Sequence, residues 1–198
     1  YHEALNELPA GTEAQGRVRR IRVELARFLL DHDDRGRALS ELLVLAADTP
    51  SDAASHVEVA RLFLEAGDVA RALGQFVEAS RLDEACGPAF AGAGEASFQL
   101  GDYASARRYL ERALALDPGA ERAAGLLETT RRIESGNPLA PRLPSDERMR
   151  RLLAGLDQAA RRLDGCLEGP SDVPASERPG LEQLRAEVVS MRGLLDAK

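Results

Sequence analysis

Apolar residues in the first two thirds of the chain recur every three or four positions, and the whole pattern repeats every 34 residues. The segment LGDYASARRYLERALALDP begins at Leu100, and a weaker copy, AGDVARALGQFVEASRLDE, begins at Ala66. The same offset carried back from Pro118 passes Glu84 and reaches Pro50. Apolar residues at i, i+3 or i+4 and i+7 lie on one face of an α-helix. The pattern therefore predicts three helical units, 19–52, 53–86 and 87–120.

Each unit is predicted to hold two helices joined by a tight turn. A small residue follows each turn, a bulky residue comes four positions later, and another apolar residue comes three positions after that. The small residues are Ala38, Ala72 and Ala106, the bulky residues are Leu42, Phe76 and Leu110, and the third set is Leu45, Ala79 and Ala113. Gly67 and Gly101 can end the first helix with a positive φ, and the aspartate after each suits the start of the second. No unit can bury its apolar face alone, so the units must stack on one another.

These columns resemble the tetratricopeptide repeat, a helix–turn–helix unit of 34 residues. The small–bulky–small–proline pattern of that family is matched by Gly94, Ala106, Leu110, Ala113 and Pro118. The 53–86 unit has Glu84 in place of the proline, and the 19–52 unit has Asp33-Asp34 in place of the turn glycine. The resemblance implies an all-α, right-handed superhelix whose first helices line a concave groove for another protein.

The segments flanking the array differ from it in composition. Residues 1–18 are predicted to form an N-terminal stub or loop. Residues 121–134 predict a capping helix that completes a repeat domain over 19–134, with Ala124 and Leu127 on its buried side. Residues 135–144 are rich in proline and predict a stiff connector.

The C-terminal segment, 145–198, predicts a helical hairpin. Its two helices carry apolar residues in steps of three and four; these are Met149, Leu153, Leu156, Ala160, Leu163 and Leu167, then Leu181, Leu184, Val188, Met191 and Leu195. Pro170, Pro174 and Pro179 fall at the break between them. This apolar seam can cover the repeat array, form a homodimer or bind a partner, and the sequence leaves the three open.

Composition and motifs argue against catalysis and against cofactors. The net charge of −7 disfavours a nucleic-acid partner. Cys86 and Cys166 are too few for a disulfide framework, and the three histidines share no ligand spacing with them. No glycine-rich phosphate loop or nucleophile motif is present. We therefore expect no enzyme activity, no metal and no cofactor. The near-absence of lysine (Lys198 is the only one) indicates bias in the genome, of a bacterial kind.

Localisation is weakly constrained. The longest apolar run, Leu42 to Ala47, is far too short to span a bilayer. The sequence opens with Tyr1 rather than methionine. The expectation is a cytoplasmic protein, or the soluble part of a membrane-tethered protein whose N-terminus is missing here.

The predicted partner-binding surface follows from the implied groove. In each first helix, residues spaced i, i+4 and i+7 share one face. The set is Val23, Arg27, Leu30, Val57, Arg61, Leu64, Ala91, Glu95 and Phe98. Leu25, Ala26 and Leu29 already supply the core face of the first unit, so the apolar members of the set require another explanation.

Two arginines dominate this surface. Arg27 and Arg61 are expected to stack on adjacent helices, where guanidinium groups on an apolar floor can bind carboxylates. Glu24, Glu58 and Glu65 are near enough to pair with them instead. We expect an amphipathic helix with acidic residues here, supplied by a partner or by residues 146–196.

Family members that bind the acidic ends of heat-shock chaperones carry a clamp of Lys, Asn and Arg. The matching positions hold Val23, Arg27, Glu58, Pro88 and Gly92, of which only Arg27 is cationic, so that clamp is excluded. The sequence thus predicts a non-catalytic scaffold or adaptor that binds a helix or peptide in the groove. The alternative is an assembly subunit, possibly membrane-tethered, that self-associates or docks through the hairpin.

Overall fold

The computed structural model describes residues 12–168, 174 and 176–196. Over those residues the chain forms α-helices joined by turns and short loops, with no β-strand. The helices are α1 (Thr12–Asp31), α2 (Arg35–Ala47), α3 (Ala53–Glu65), α4 (Val69–Leu82), α5 (Gly87–Gln99), α6 (Tyr103–Leu116), α7 (Glu121–Gly136), α8 (Ser145–Glu168) and α9 (Arg178–Asp196). The all-α repeat fold expected from the sequence is confirmed.

Two predicted segments lie partly outside the described residues. Residues 1–11 of the N-terminal stub are among them, and so are residues 169–173 and 175 of the break before the last helix. The rest of the stub is helical, since α1 begins at Thr12, seven residues before the expected start of the first unit. The connector is shorter than predicted, because α7 continues to Gly136.

The chain divides into two compact units, Tyr1–Arg131 and Arg132–Lys198. The positions that recur every 34 residues form the core of Tyr1–Arg131. In α2, α4 and α6 each of these side chains is at most 2% exposed: Ala38, Leu42, Leu45, Ala72, Phe76, Ala79, Ala106, Leu110 and Ala113. Burial of a large apolar side chain contributes about 1.5–3 kcal/mol. The repeat in the sequence therefore coincides with the main source of stability.

The turns between paired helices share one backbone geometry. Gly67 and Gly101 have φ of 85° and 79°, in the left-handed region. The amide of Asp68 donates to the carbonyl of Phe63 at 2.9 Å, which closes the end of α3. Asp33 takes a φ of 56° in the first turn. Aspartate tolerates that region better than most residues, so the first unit keeps the turn without glycine.

Aspartates cap the helices that follow. Asp68 Oδ1 accepts the amide of Arg71 at 3.1 Å, Asp102 Oδ1 accepts that of Ser105 at 3.0 Å, and Asp52 caps α3 in the same way. Hydrogen bonds to the carboxylate, the backbone amide first, lower the pKa of Asp52 and Asp102. At Asp68 burial raises the pKa, but the hydrogen bonds and charge of Arg71 outweigh it and lower the pKa overall.

These caps predict a loss of stability in acid. A carboxyl whose pKa is lower in the folded chain stabilises the fold above its unfolded pKa, and that contribution is lost as the pH falls through the folded pKa. The variant Asp68→Asn/Asp102→Asn keeps cap acceptors that do not titrate. We expect its free energy of unfolding to fall less steeply than that of the wild type between about pH 5 and about pH 3. Urea unfolding at several pH values measures this, and equal slopes would contradict it.

The capping helix α7 forms, with one correction to its buried face. Leu127 is 6% exposed, as predicted, but Ala123 is the buried alanine at 5%, and Ala124 is exposed. Ala123 lies 34 residues after Ala89, which is fully buried in α5. The 34-residue repeat therefore predicts the burial of Ala123, because Ala123 occupies the same repeat position as Ala89.

In Arg132–Lys198, α8 and α9 form the predicted antiparallel hairpin. Asp157 of α8 forms an ion pair with Arg192 of α9 at 2.5 Å, and Asp164 pairs with Arg185. As the number rises along α8 it falls along α9, which fixes the helices as antiparallel. Arg151 of α8 also donates to the carbonyl of Asn137 at 3.2 Å, within the same unit.

Candidate functional site: a groove lined by the first helices

Two adjoining cavities lie along the first helices of the repeats. The Arg27 cavity, of about 580 Å³, is lined by Arg27 of α1, by α3 residues from Ala53 to Glu65, and by the loop before α5. The Phe76 cavity, of about 560 Å³, is lined mainly by α3 and α5, with Phe76 of α4 at its floor. Arg61, Glu65 and Pro88 line both cavities, which we treat together as the groove.

Six of the nine predicted site residues line this groove. They are Arg27, Val57, Arg61, Leu64, Ala91 and Glu95. Their common location follows from the fold, because the equivalent first helices α1, α3 and α5 each present the same face. Whether the groove binds a partner is a separate matter and stays a prediction.

The structure corrects the expectation that the apolar members of the set lie outside the core. Val23 is 5% exposed and Val57 is 7% exposed, and both belong to the core cluster of the first two repeats. The first helices α1 and α3 each contact the first helix of the next unit as well as their own partner. A second face of the helix is therefore buried; Val57 still lines the Arg27 cavity, whereas Val23 lines neither cavity.

Leu30 and Phe98 also fall outside the lining of the two cavities. Leu30 is half-buried and packs against the core around Leu25 and Leu29. Phe98 is half-buried and meets Tyr103 edge to face, with ring centroids 5.5 Å apart. Both side chains thus serve packing between helices.

Charged side chains of both signs gather at one end of the groove. Glu58 accepts a hydrogen bond from Arg27 at 3.0 Å, and its other oxygen lies 3.9 Å from Arg19. One carboxylate therefore serves two guanidinium groups. For Arg27 the structure therefore has the alternative, pairing with a glutamate, and the partner is Glu58.

Arg61 behaves differently from Arg27. It is exposed, and within the described residues it forms no hydrogen bond or ion pair, and neither does Glu65 one turn later on the same helix. A guanidinium group between two cavities with mostly apolar walls has its donors available for a ligand. Arg61 is thus the predicted site residue whose chemistry the fold leaves unused.

The floor of the groove depends on a close approach between α4 and α5. A Cβ atom on Gly92 would lie 2.3 Å from Cε1 of Phe76. Only glycine at this position lets the Phe76 ring lie against the α5 backbone, with the ring 1% exposed. At the far end, Glu95 is occupied by an ion pair with Arg122 of α7.

Sequence reasoning missed several lining residues, among them Cys86, Asp117 and Ala120. They lie in the loops between units, where helical periodicity gives no information about direction. From sequence alone, Pro88 and Gly92 are notable only as positions of the chaperone clamp. Their place at the start of a first helix is the signal that could have assigned them to the groove.

Residues 63–129 match the family model described as tetratricopeptide repeat. These residues are tetratricopeptide repeats. The match covers most of the 53–86 unit, all of the 87–120 unit and the start of α7, which are the parts where the 34-residue columns are clearest. Tetratricopeptide repeats are protein–protein interaction modules and typically have no catalytic activity of their own.

Solved structures show the same fold. The crystal structure of MamA protein matches with a TM-score of 0.53 and 18% identity, covering 88% of this chain and 88% of that one. The Sgt2 tetratricopeptide-repeat domain from Aspergillus fumigatus matches with a TM-score of 0.51 and 18% identity, covering 64% of this chain and 89% of that one. No curated protein matches the chain.

Among the described helices there is none whose length and apolar character together would let it span a membrane.

Proposed function

We propose that this chain is a scaffold or adaptor whose groove binds a helix or an extended peptide of another protein. The observation that supports this most directly is Arg61. It lies where two cavities of about 560 and 580 Å³ join, and it has no intramolecular partner in the described chain. Cavities of this size on a repeat module are large enough to receive side chains of a docked segment.

The charges of the groove indicate the chemistry of the bound segment. Arg19 and Arg27 share one carboxylate, that of Glu58, and Arg61 pairs with none in the described chain, so the guanidinium of Arg61 is available to a ligand. An acidic side chain of the ligand would bind Arg61 through charge-assisted hydrogen bonds. Glu65, which also lacks a partner within the described residues, fits a donor one helical turn further along the ligand.

The apolar walls complement this polar pair. Leu64 and Ala91 are half-buried, and Phe76 and Gly92 form the floor between them. An amphipathic helix with an acidic residue beside its apolar face satisfies both features. Apolar burial would supply affinity, and the charge on Arg61 would select among competing segments.

Selection from a displayed library of helical peptides, with the full chain as target, tests the proposal. We expect the wild type to enrich amphipathic peptides that carry an acidic residue beside the apolar face. The variant Arg61→Glu should weaken these peptides by about 10–100-fold, because a charge-assisted hydrogen bond contributes about 1.5–3 kcal/mol. It should instead enrich peptides with a basic residue at that position.

Arg81→Glu is the matched control. Arg81 is an exposed arginine in the last turn of α4, paired with Glu78 and lying outside the lining of both cavities. Its reversal should leave the selected peptides unchanged. Enrichment that is absent, or that is equally altered by both variants, would contradict a groove-specific site.

A further inference from the structure

The hairpin of α8 and α9 lacks a core of its own. None of the described side chains in these two helices is buried. This is so even though α8 carries a continuous apolar face along its length. Two helices of 24 and 19 residues cannot enclose such a face between themselves. Helices in this situation are stabilised by packing against further helices.

One edge of the seam between α8 and α9 is closed by charged residues. The ion pairs Asp157–Arg192 and Asp164–Arg185 involve residues seven apart on each helix. A separation of seven returns to the same face of a helix, so both pairs lie along one edge. This closed edge is polar and needs no further partner.

The opposite edge is apolar and exposed. On α9 it consists of Leu184, Met191 and Leu194, whose exposed fractions are 51%, 47% and 68%. On α8 the residues that share this edge by spacings of three and four are Leu152, Gly155, Ala159, Arg162 and Cys166. We call the two rows together the open edge.

Charges on the open edge are opposite on the two helices. Arg162 lies on α8 and has no hydrogen bond or ion pair within the described residues. Glu187 lies on α9 between Leu184 and Met191 and, among the described residues, accepts only the side-chain amide of Gln183, at 3.2 Å. Arg162 precedes Asp164 by two residues, and Glu187 follows Arg185 by two, so the ion pair Asp164–Arg185 sets them at the same level of the hairpin.

We propose that the open edge binds the open edge of a second copy of this chain, forming a four-helix bundle. With a two-fold axis parallel to the helices, α8 of one copy packs antiparallel on α9 of the other, and the level of each residue is preserved. Arg162 then faces Glu187 of the second copy, and the reciprocal pair forms by symmetry. An arrangement of α8 on α8 would instead leave Arg162 without the opposite charge of Glu187, so charge complementarity favours α8 on α9.

Light scattering and sedimentation of the full chain test this. We expect a mass of twice the 21.4 kDa of one chain at micromolar concentration. Leu194→Asp should raise the dimer dissociation constant at least about tenfold, because it buries a carboxylate in an apolar interface. Val189→Asp is the matched control: Val189 is 55% exposed on α9 but lies away from the open edge, so its dimer should persist.

Charge exchange identifies the arrangement of the two copies. Arg162→Glu alone and Glu187→Arg alone should each weaken the dimer about tenfold, and the double variant should restore it. Circular dichroism confirms that each variant keeps its helices. A monomer at every concentration, a dimer indifferent to Leu194→Asp, or a double variant that stays monomeric would each overturn the proposal. A monomer that Leu194→Asp nevertheless destabilises would show that the edge is covered within one chain, and would also overturn it.

Discussion

Replacing Phe76 with alanine should lower the free energy of unfolding by about 3–5 kcal/mol. The Phe76 ring is 1% exposed and belongs to the core cluster that joins the first two repeats to α5. Its removal takes away the apolar contacts of a whole ring and leaves a void that the rigid helix pair cannot close completely. Urea unfolding followed by circular dichroism measures the change.

Leu82→Ala is the appropriate control for this variant. Leu82 lies on the same helix, α4, but is 41% exposed. Its truncation should cost well under half as much as that of Phe76, since the smaller and partly exposed Leu82 side chain loses less buried surface. Equal losses for the two variants would mean that Phe76 is no more important to the core than an exposed leucine.

The second large effect concerns Gly92, and its sign should depend on Phe76. In the wild type, Gly92→Ala would place a methyl group 2.3 Å from Cε1 of Phe76, so the ring must move. Overpacking of this kind typically costs about 1–3 kcal/mol. In the Phe76→Ala background the obstruction is gone, and the same change should stabilise α5 by up to about 1 kcal/mol through helix propensity.

A double-mutant cycle measures this coupling, and Gly74→Ala provides its control. Gly74 lies inside α4, and a Cβ atom there would have no neighbouring atom within 4 Å, so alanine should stabilise the chain in both backgrounds. If Gly92→Ala had the same effect with and without the Phe76 ring, the close approach of α4 to α5 would not be the reason for glycine at this position.

The sequence by itself determined the repeat architecture. A unit that must bury its apolar face against similar neighbours repeats that face at a fixed interval, and the 34-residue columns identify the core positions of α2, α4 and α6 for this reason. The turns and helix caps could also be predicted from the sequence. The turns at Gly67 and Gly101 and the caps at Asp68 and Asp102 depend on residues within one or two turns of helix.

Tertiary structure decided which of the predicted polar and apolar side chains line the groove. Periodicity places Val23, Arg27 and Leu30 on one face, but it does not show how much of that face the next first helix covers. Packing buries Val23, and it brings Glu58 of α3 to 3.0 Å from Arg27. The sequence did not distinguish Arg27 from Arg61, because each was expected to lie near glutamates that could pair with it. Only the positions of helices from different repeats gave Arg27 a partner and left Arg61 without one among the described residues, because an ion pair depends on distances of a few ångströms between segments far apart in the chain.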